Sequence, residues 1–69
     1  MKTKDFLFKT YEQAQEFLEA LDEASEKNDI DYIMSNEEDG YKVYVTFNKN
    51  TNDLDIFIVD NIALKIILK

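Results

Sequence analysis

Sixty-nine residues with a formal net charge of −7 leave room for one small domain, residues 1–69, near the size at which a single core only just outweighs chain entropy. The chain has no cysteine, histidine or proline, so disulfides, thiolate or imidazole metal sites and proline-rich linkers play no part in holding it together. The start, "MKTKDFLFKT", carries lysines but no extended apolar segment or small-residue cleavage site, and no later run is long enough to span a bilayer; the expectation is a cytoplasmic protein without membrane contact.

The first element in chain order is "DFLFK", a short apolar run with Phe6 and Phe8 on one side and Leu7 on the other, which reads as a strand. Thr10 with Gln13 three residues later forms a capping box, after which Ala14, Phe17, Leu18, Leu21 and Ala24 follow helical spacing. Lys27 and Asn28 suit the C-terminal end of that helix. Beyond it the period changes to two. In "DIDYIMS", Ile30, Tyr32 and Met34 alternate with Asp31, Ile33 and Ser35, and "NEEDG" supplies a turn in which Gly40 can take positive φ. "YKVYVTF" then places Tyr41, Val43, Val45 and Phe47 on one face. After the polar turn "NKNTND", "LDIFIV" reads as a further strand with Leu54, Ile56 and Ile58 inward.

For "DNIALKIILK" two readings compete. As a strand following an Asp60-Asn61 turn, it alternates Ile62, Leu64, Ile66 and Leu68 against Ala63, Lys65, Ile67 and Lys69; as a helix capped by Asp60, it is apolar nearly all round. The strand reading is preferred. The expected fold is therefore α+β, one amphipathic helix packed on a largely antiparallel sheet of four or five strands, in the order β-α-β-β-β(-β).

The residue inventory is poor in catalytic chemistry. Without histidine, cysteine or arginine there is no acid/base group near neutrality, no thiol nucleophile and no guanidinium clamp, and a chain this short hardly encloses a carboxylate pair in a concave site. The expectation is a non-enzymatic protein with no cofactor. Asp29 and Asp31 open like a calcium loop, but Ile33 and Met34 stand where a ligand and the glycine belong; Asn48, Asn50 and Asn52 fail similarly at Asp53 and Val59. No metal site is assigned.

The charge is unevenly distributed: residues 1–9 hold three lysines and one aspartate, residues 10–40 one lysine and eleven acids, and residues 41–69 four lysines and three acids. Such a field disfavours direct binding to nucleic acid and favours a basic protein partner. Glu12, Glu16, Glu19, Glu23 and Glu26 follow steps of four, three, four and three, which gathers them within about 80° of arc over about 21 Å of helix. Neighbours in this row are like-charged pairs, each destabilising by roughly 0.2–0.5 kcal/mol. A face kept only for solubility would more often mix signs. The row therefore reads as a ridge that docks on a basic surface, a nucleic-acid-binding site being one such target. Glu37, Glu38 and Asp39 must lie alongside it if the charge density is to imitate a duplex, as an inhibitor from a phage or a low-GC bacterium would. The alternative is an oligomerisation module, a homodimer for instance, associating through a second sheet face of Leu7, Ile33, Tyr44, Phe57 and Val59.

Overall fold

The computed structural model describes residues 2–28 and 30–68, with the side chains of residues 2–23 and 30–68. Five elements follow in the order β1 (Lys2–Phe8), α1 (Tyr11–Asn28), β2 (Asp31–Glu37), β3 (Gly40–Phe47) and α2 (Asp53–Ile67). The sheet order is β1-β3-β2, with β3 antiparallel to both neighbours. Strands β1 and β2 consequently run parallel on either side of β3, and α1 is the crossover between them. Both helices lie on one face of this three-stranded sheet.

Helix α1 begins as its sequence dictates. The Gln13 N–H donates to Thr10 Oγ1 at 3.2 Å, and the Gln13 side chain reaches back to accept from the Lys9 N–H at 3.2 Å. Two N-terminal donors are thereby satisfied, the bond reaching one residue further back than in the usual capping box. Ala14, Phe17 and Leu21 are buried, and the Phe17 ring packs against Phe6 and Phe8 at centroid distances of 5.1 and 5.0 Å.

On the sheet, the two-residue period holds. Val43 sits between Phe6 and Met34 in register, and Val45 between Lys4 and Tyr32, so β3 supplies the middle of the core. Gly40 starts β3 with φ +143°, a conformation that only glycine adopts easily, and a Cβ there would stand 2.2 Å from the Phe8 carbonyl oxygen. The glycine thus permits the β2–β3 turn to close against the end of β1.

The expected fourth and fifth strands are replaced by one helix. Residues 53–67 form α2, in which Asp60 and Asn61 lie mid-helix rather than in a turn. Asn52 Oδ1 accepts from the Asp55 N–H at 2.8 Å, Asp53 and Asp55 place negative charge in the first turn, and Lys65 lies in the last. The residues buried along it, Ile56, Val59, Ala63 and Ile66, are spaced by three, four and three. Leu54 and Ile58, expected inward with Ile56, are instead exposed. The sheet's apolar face accounts for this outcome. Residues from all three strands point to that side, and a second helix beside α1 covers them, whereas a further strand would extend the face still needing cover.

Edge strand β1 is secured by the same helix. Lys4 and Lys2 point to the helical side, where Lys4 Nζ meets Asp60 Oδ2 at 2.6 Å and Lys2 Nζ meets Asp53 Oδ1 at 3.1 Å. Charged residues turned inward on an edge strand disfavour pairing with foreign strands. The Lys2 pair is widely exposed and contributes little to stability, while the half-buried Lys4 pair contributes more.

Candidate functional site

Four of the five ridge glutamates, Glu12, Glu16, Glu19 and Glu23, are exposed on α1, away from Ala14, Phe17 and Leu21. The side chain of Glu26 and the whole of Asp29 lie outside the described residues. Lys2 and Lys4 pair with α2, and Lys42 pairs with Asp5 at 3.7 Å on the opposite sheet face. Glu12, Glu19 and Glu23 form no ion pair among the described residues. Glu16 differs, because with Ala20, Ile62, Lys65 and Ile66 it lines a groove of about 250 Å³ where the two helices meet. At that junction Gln13 Nε2 also donates to the Ile66 carbonyl at 3.3 Å.

Asp22 adds a carboxylate beside the row, and the Tyr32 hydroxyl donates to it from β2. The hydrogen bond to Asp22 is the largest cause raising the Tyr32 pKa above 10.0, followed by burial and by the charge of Asp22 itself. This contact fixes the end of α1 that carries Glu23 over β2. Its donor, Tyr32, has its side chain on the core side of the sheet, as the alternation predicts.

The turn carboxylates do not join the ridge. Glu37, Glu38 and Asp39 line a shallow depression together with Leu7 and Lys42, and Tyr44 Oη donates to Glu37 Oε1 at 3.4 Å. Leu7, Lys42 and Tyr44 belong to the sheet face without helices, so these acids group with the face opposite the α1 row. The continuous charge track needed to imitate a duplex is therefore divided between two sides of the molecule. Asn48 and Asn52 also have local work: Asn48 Oδ1 accepts from the Asn50 N–H at 3.0 Å, and Asn52 caps α2. Among the described residues, no group of three or more acidic side chains converges as a metal ligand set.

The proposed apolar sheet face is divided as well. Leu7, Ile33 and Tyr44 do share the open face, with Ile33 71% exposed, but Lys42 lies over the Tyr44 ring at 5.8 Å and pairs with Asp5, which keeps that face mixed in character. Phe57 and Val59 belong to α2. Val59 is buried in the core and Phe57 is exposed on the far side of the helix. What sequence reading did not single out is the apolar surface that α2 leaves outside, formed by Leu54, Phe57, Ile58, Leu64, Ile67 and Leu68. The signal was present in their helical spacing, masked by an equally good fit to alternation.

No family model, curated protein or solved structure matches this chain. The fold and its surfaces carry the functional argument.

Proposed function

We propose that this protein is a non-enzymatic protein-binding module whose acidic α1 face docks on a basic surface of another protein. The observation that carries this reading is the exposed carboxylate row of α1: Glu12, Glu19 and Glu23 form no ion pair among the described residues, while Lys2, Lys4 and Lys42 are tied to carboxylates elsewhere. Like-charged neighbours on one helix face reduce stability and are relieved when a cationic surface meets them. Their attraction acts at a distance, so the expected contribution is to association rate and orientation more than to affinity.

Because the turn acids face the other way, the target is a basic patch of the length of α1, not a surface shaped for a whole duplex. The carboxylates are fixed on a rigid helix held at its start by Thr10 and along its length by Phe17 and Leu21, so they meet a partner without an ordering penalty for the backbone.

The test compares the native chain with a triple variant, Glu12→Gln, Glu19→Gln and Glu23→Gln, as immobilised bait. Glu16 is left in place because it lines the interhelical groove. A partner held by the native chain, released by moderate salt and missed by the folded triple variant supports the reading; retention by both chains overturns it.

A further inference from the structure

The sheet has two edges, β1 and β2, and only one is guarded. On β1, Lys2 and Lys4 turn toward the helices and are held there by Asp53 and Asp60, so a foreign strand meets charge on the inward side. On β2 the residues of that side are Tyr32, Met34 and Asn36, none of them charged. The strand pairs with β3 over all seven residues without a bulge. A hairpin with the two-residue loop Glu38-Asp39 closes on a pair that exchanges both backbone bonds, here Glu37 with Gly40. By alternation Ser35, Ile33 and Asp31 also bond β3, which turns the N–H and C=O of Tyr32, Met34 and Asn36 away from the sheet. Among the described residues, no other group bonds to these backbone donors and acceptors. The core is also thinly covered here: Tyr32 and Met34 pack on it but stay partly exposed, while Val43 and Val45 of the central strand are fully buried.

We propose that β2 takes up a fourth strand from a partner protein, an extended segment with a lysine or arginine toward each end. The backbone sets the shape of the occupant, because a strand offers donors and acceptors at the spacing of Tyr32, Met34 and Asn36. Charge selects its composition. On the open face β2 carries Asp31 and Glu37 on either side of Ile33, and neither forms an ion pair among the described residues. Glu37 accepts a 3.4 Å bond from Tyr44 Oη, which leaves its negative charge in place. Lys42 on the neighbouring strand is turned the other way, to Asp5 of β1. A second copy is disfavoured as occupant, since antiparallel pairing of β2 with itself over its full length sets Asp31 opposite Glu37 at both ends. A basic segment instead places cations opposite both carboxylates and an apolar residue opposite Ile33. This deepens the acidic-face reading and rests on it for the sign of the partner's charge, but the contact lies on a different surface.

The probe is the peptide acetyl-Lys-Thr-Thr-Val-Ile-Thr-Lys-amide, added to the full chain while amide exchange and chemical shifts are followed by NMR. A strand of this length should bind with a Kd of about 0.1–1 mM, so the titration runs to about 5 mM. The expected result is slowed exchange at the amides of Tyr32, Met34 and Asn36, with an affinity about fivefold lower for the peptide carrying glutamine at both lysine positions. Asn36→Pro removes one outward donor and no bond to β3, so this variant should keep its circular dichroism and bind about tenfold more weakly.

The chain with Glu12→Gln, Glu19→Gln and Glu23→Gln should still protect the three amides, which separates failure of the edge from failure of the α1 row. Shifts confined to the α1 carboxylates, without protection on β2, overturn the proposal and leave the acidic-face reading standing. Equal binding of the lysine and glutamine peptides overturns the basic occupant. Protection of the same amides that grows with protein concentration in the absence of peptide assigns the edge to a second copy and overturns it likewise. No shift on β2 at the highest peptide concentration overturns it outright.

Discussion

Ile66 and Leu64 separate a helical from an extended C-terminal segment, because alternation would put them on one face and a helix puts them about 200° apart. Ile66 is 4% exposed in the core, so Ile66→Ala should lose its transfer energy and open a cavity, for a destabilisation of about 2–5 kcal/mol. Leu64 is half-exposed, and replacing it by the best helix former should change stability by less than about 1 kcal/mol in dilute solution. These are unequal shares of a total stability expected at roughly 3–10 kcal/mol for a chain of this size. With an unfolding entropy of about 145 cal/mol/K scaled to its length, a loss of 2 kcal/mol lowers Tm by about 14 °C. Thermal and urea unfolding followed by circular dichroism gives both values. Equal losses at the two positions, or a larger loss at Leu64, would refute the helical placement and the outward apolar surface of α2 with it.

Asn52→Ala should reduce stability by about 1 kcal/mol and lower Tm by about 7 °C, whereas Asn52→Asp should retain the cap; both are read by thermal unfolding. Gly40→Ala should be more damaging, at about 2 kcal/mol or more, since it imposes a strained φ and drives a Cβ against the Phe8 carbonyl, and urea titration measures it. Tyr32 should ionise above the usual phenol range in an alkaline ultraviolet titration, and that late component should vanish in Tyr32→Phe. Because its folded pKa is raised, the Asp22–Tyr32 contact contributes fully below about pH 10, and that contribution is lost as pH rises from there through the folded pKa. The pH dependence of unfolding in that window should flatten in the same variant.

The N-terminal two-thirds of the fold was legible because each segment's period agreed with its boundary chemistry. Thr10 and Gln13 marked a helix start that the structure contains, and Gly40 stands between two alternating strands whose inward residues, Met34, Val43 and Val45 among them, pack into the core. From Leu54 onward the period was ambiguous. A helix with one apolar face for its own core and another outside has apolar residues at nearly every spacing, so Leu64 and Ile66 satisfied alternation as well as helical repeat. Asn52 with Asp53 and Asp55, and Lys65 in the last turn, were the local evidence for a helix. The surfaces were less legible than the elements. The α1 carboxylate row follows from helical geometry alone, but the location of Glu37, Glu38 and Asp39 depends on which sheet face their turn adjoins. That is decided by β1-β3-β2 packing, to which no short stretch of sequence speaks.

The most direct test of the proposed activity is the salt dependence of partner capture by the native chain and by the Glu12, Glu19 and Glu23 to Gln variant. The acidic-face account predicts a basic protein that is held at low ionic strength, leaves the native chain as salt is raised, and is lost by the variant while its circular dichroism stays native. Capture that is indifferent both to salt and to the three substitutions would contradict it, and would leave the α1 carboxylates as the solvated side of an amphipathic helix.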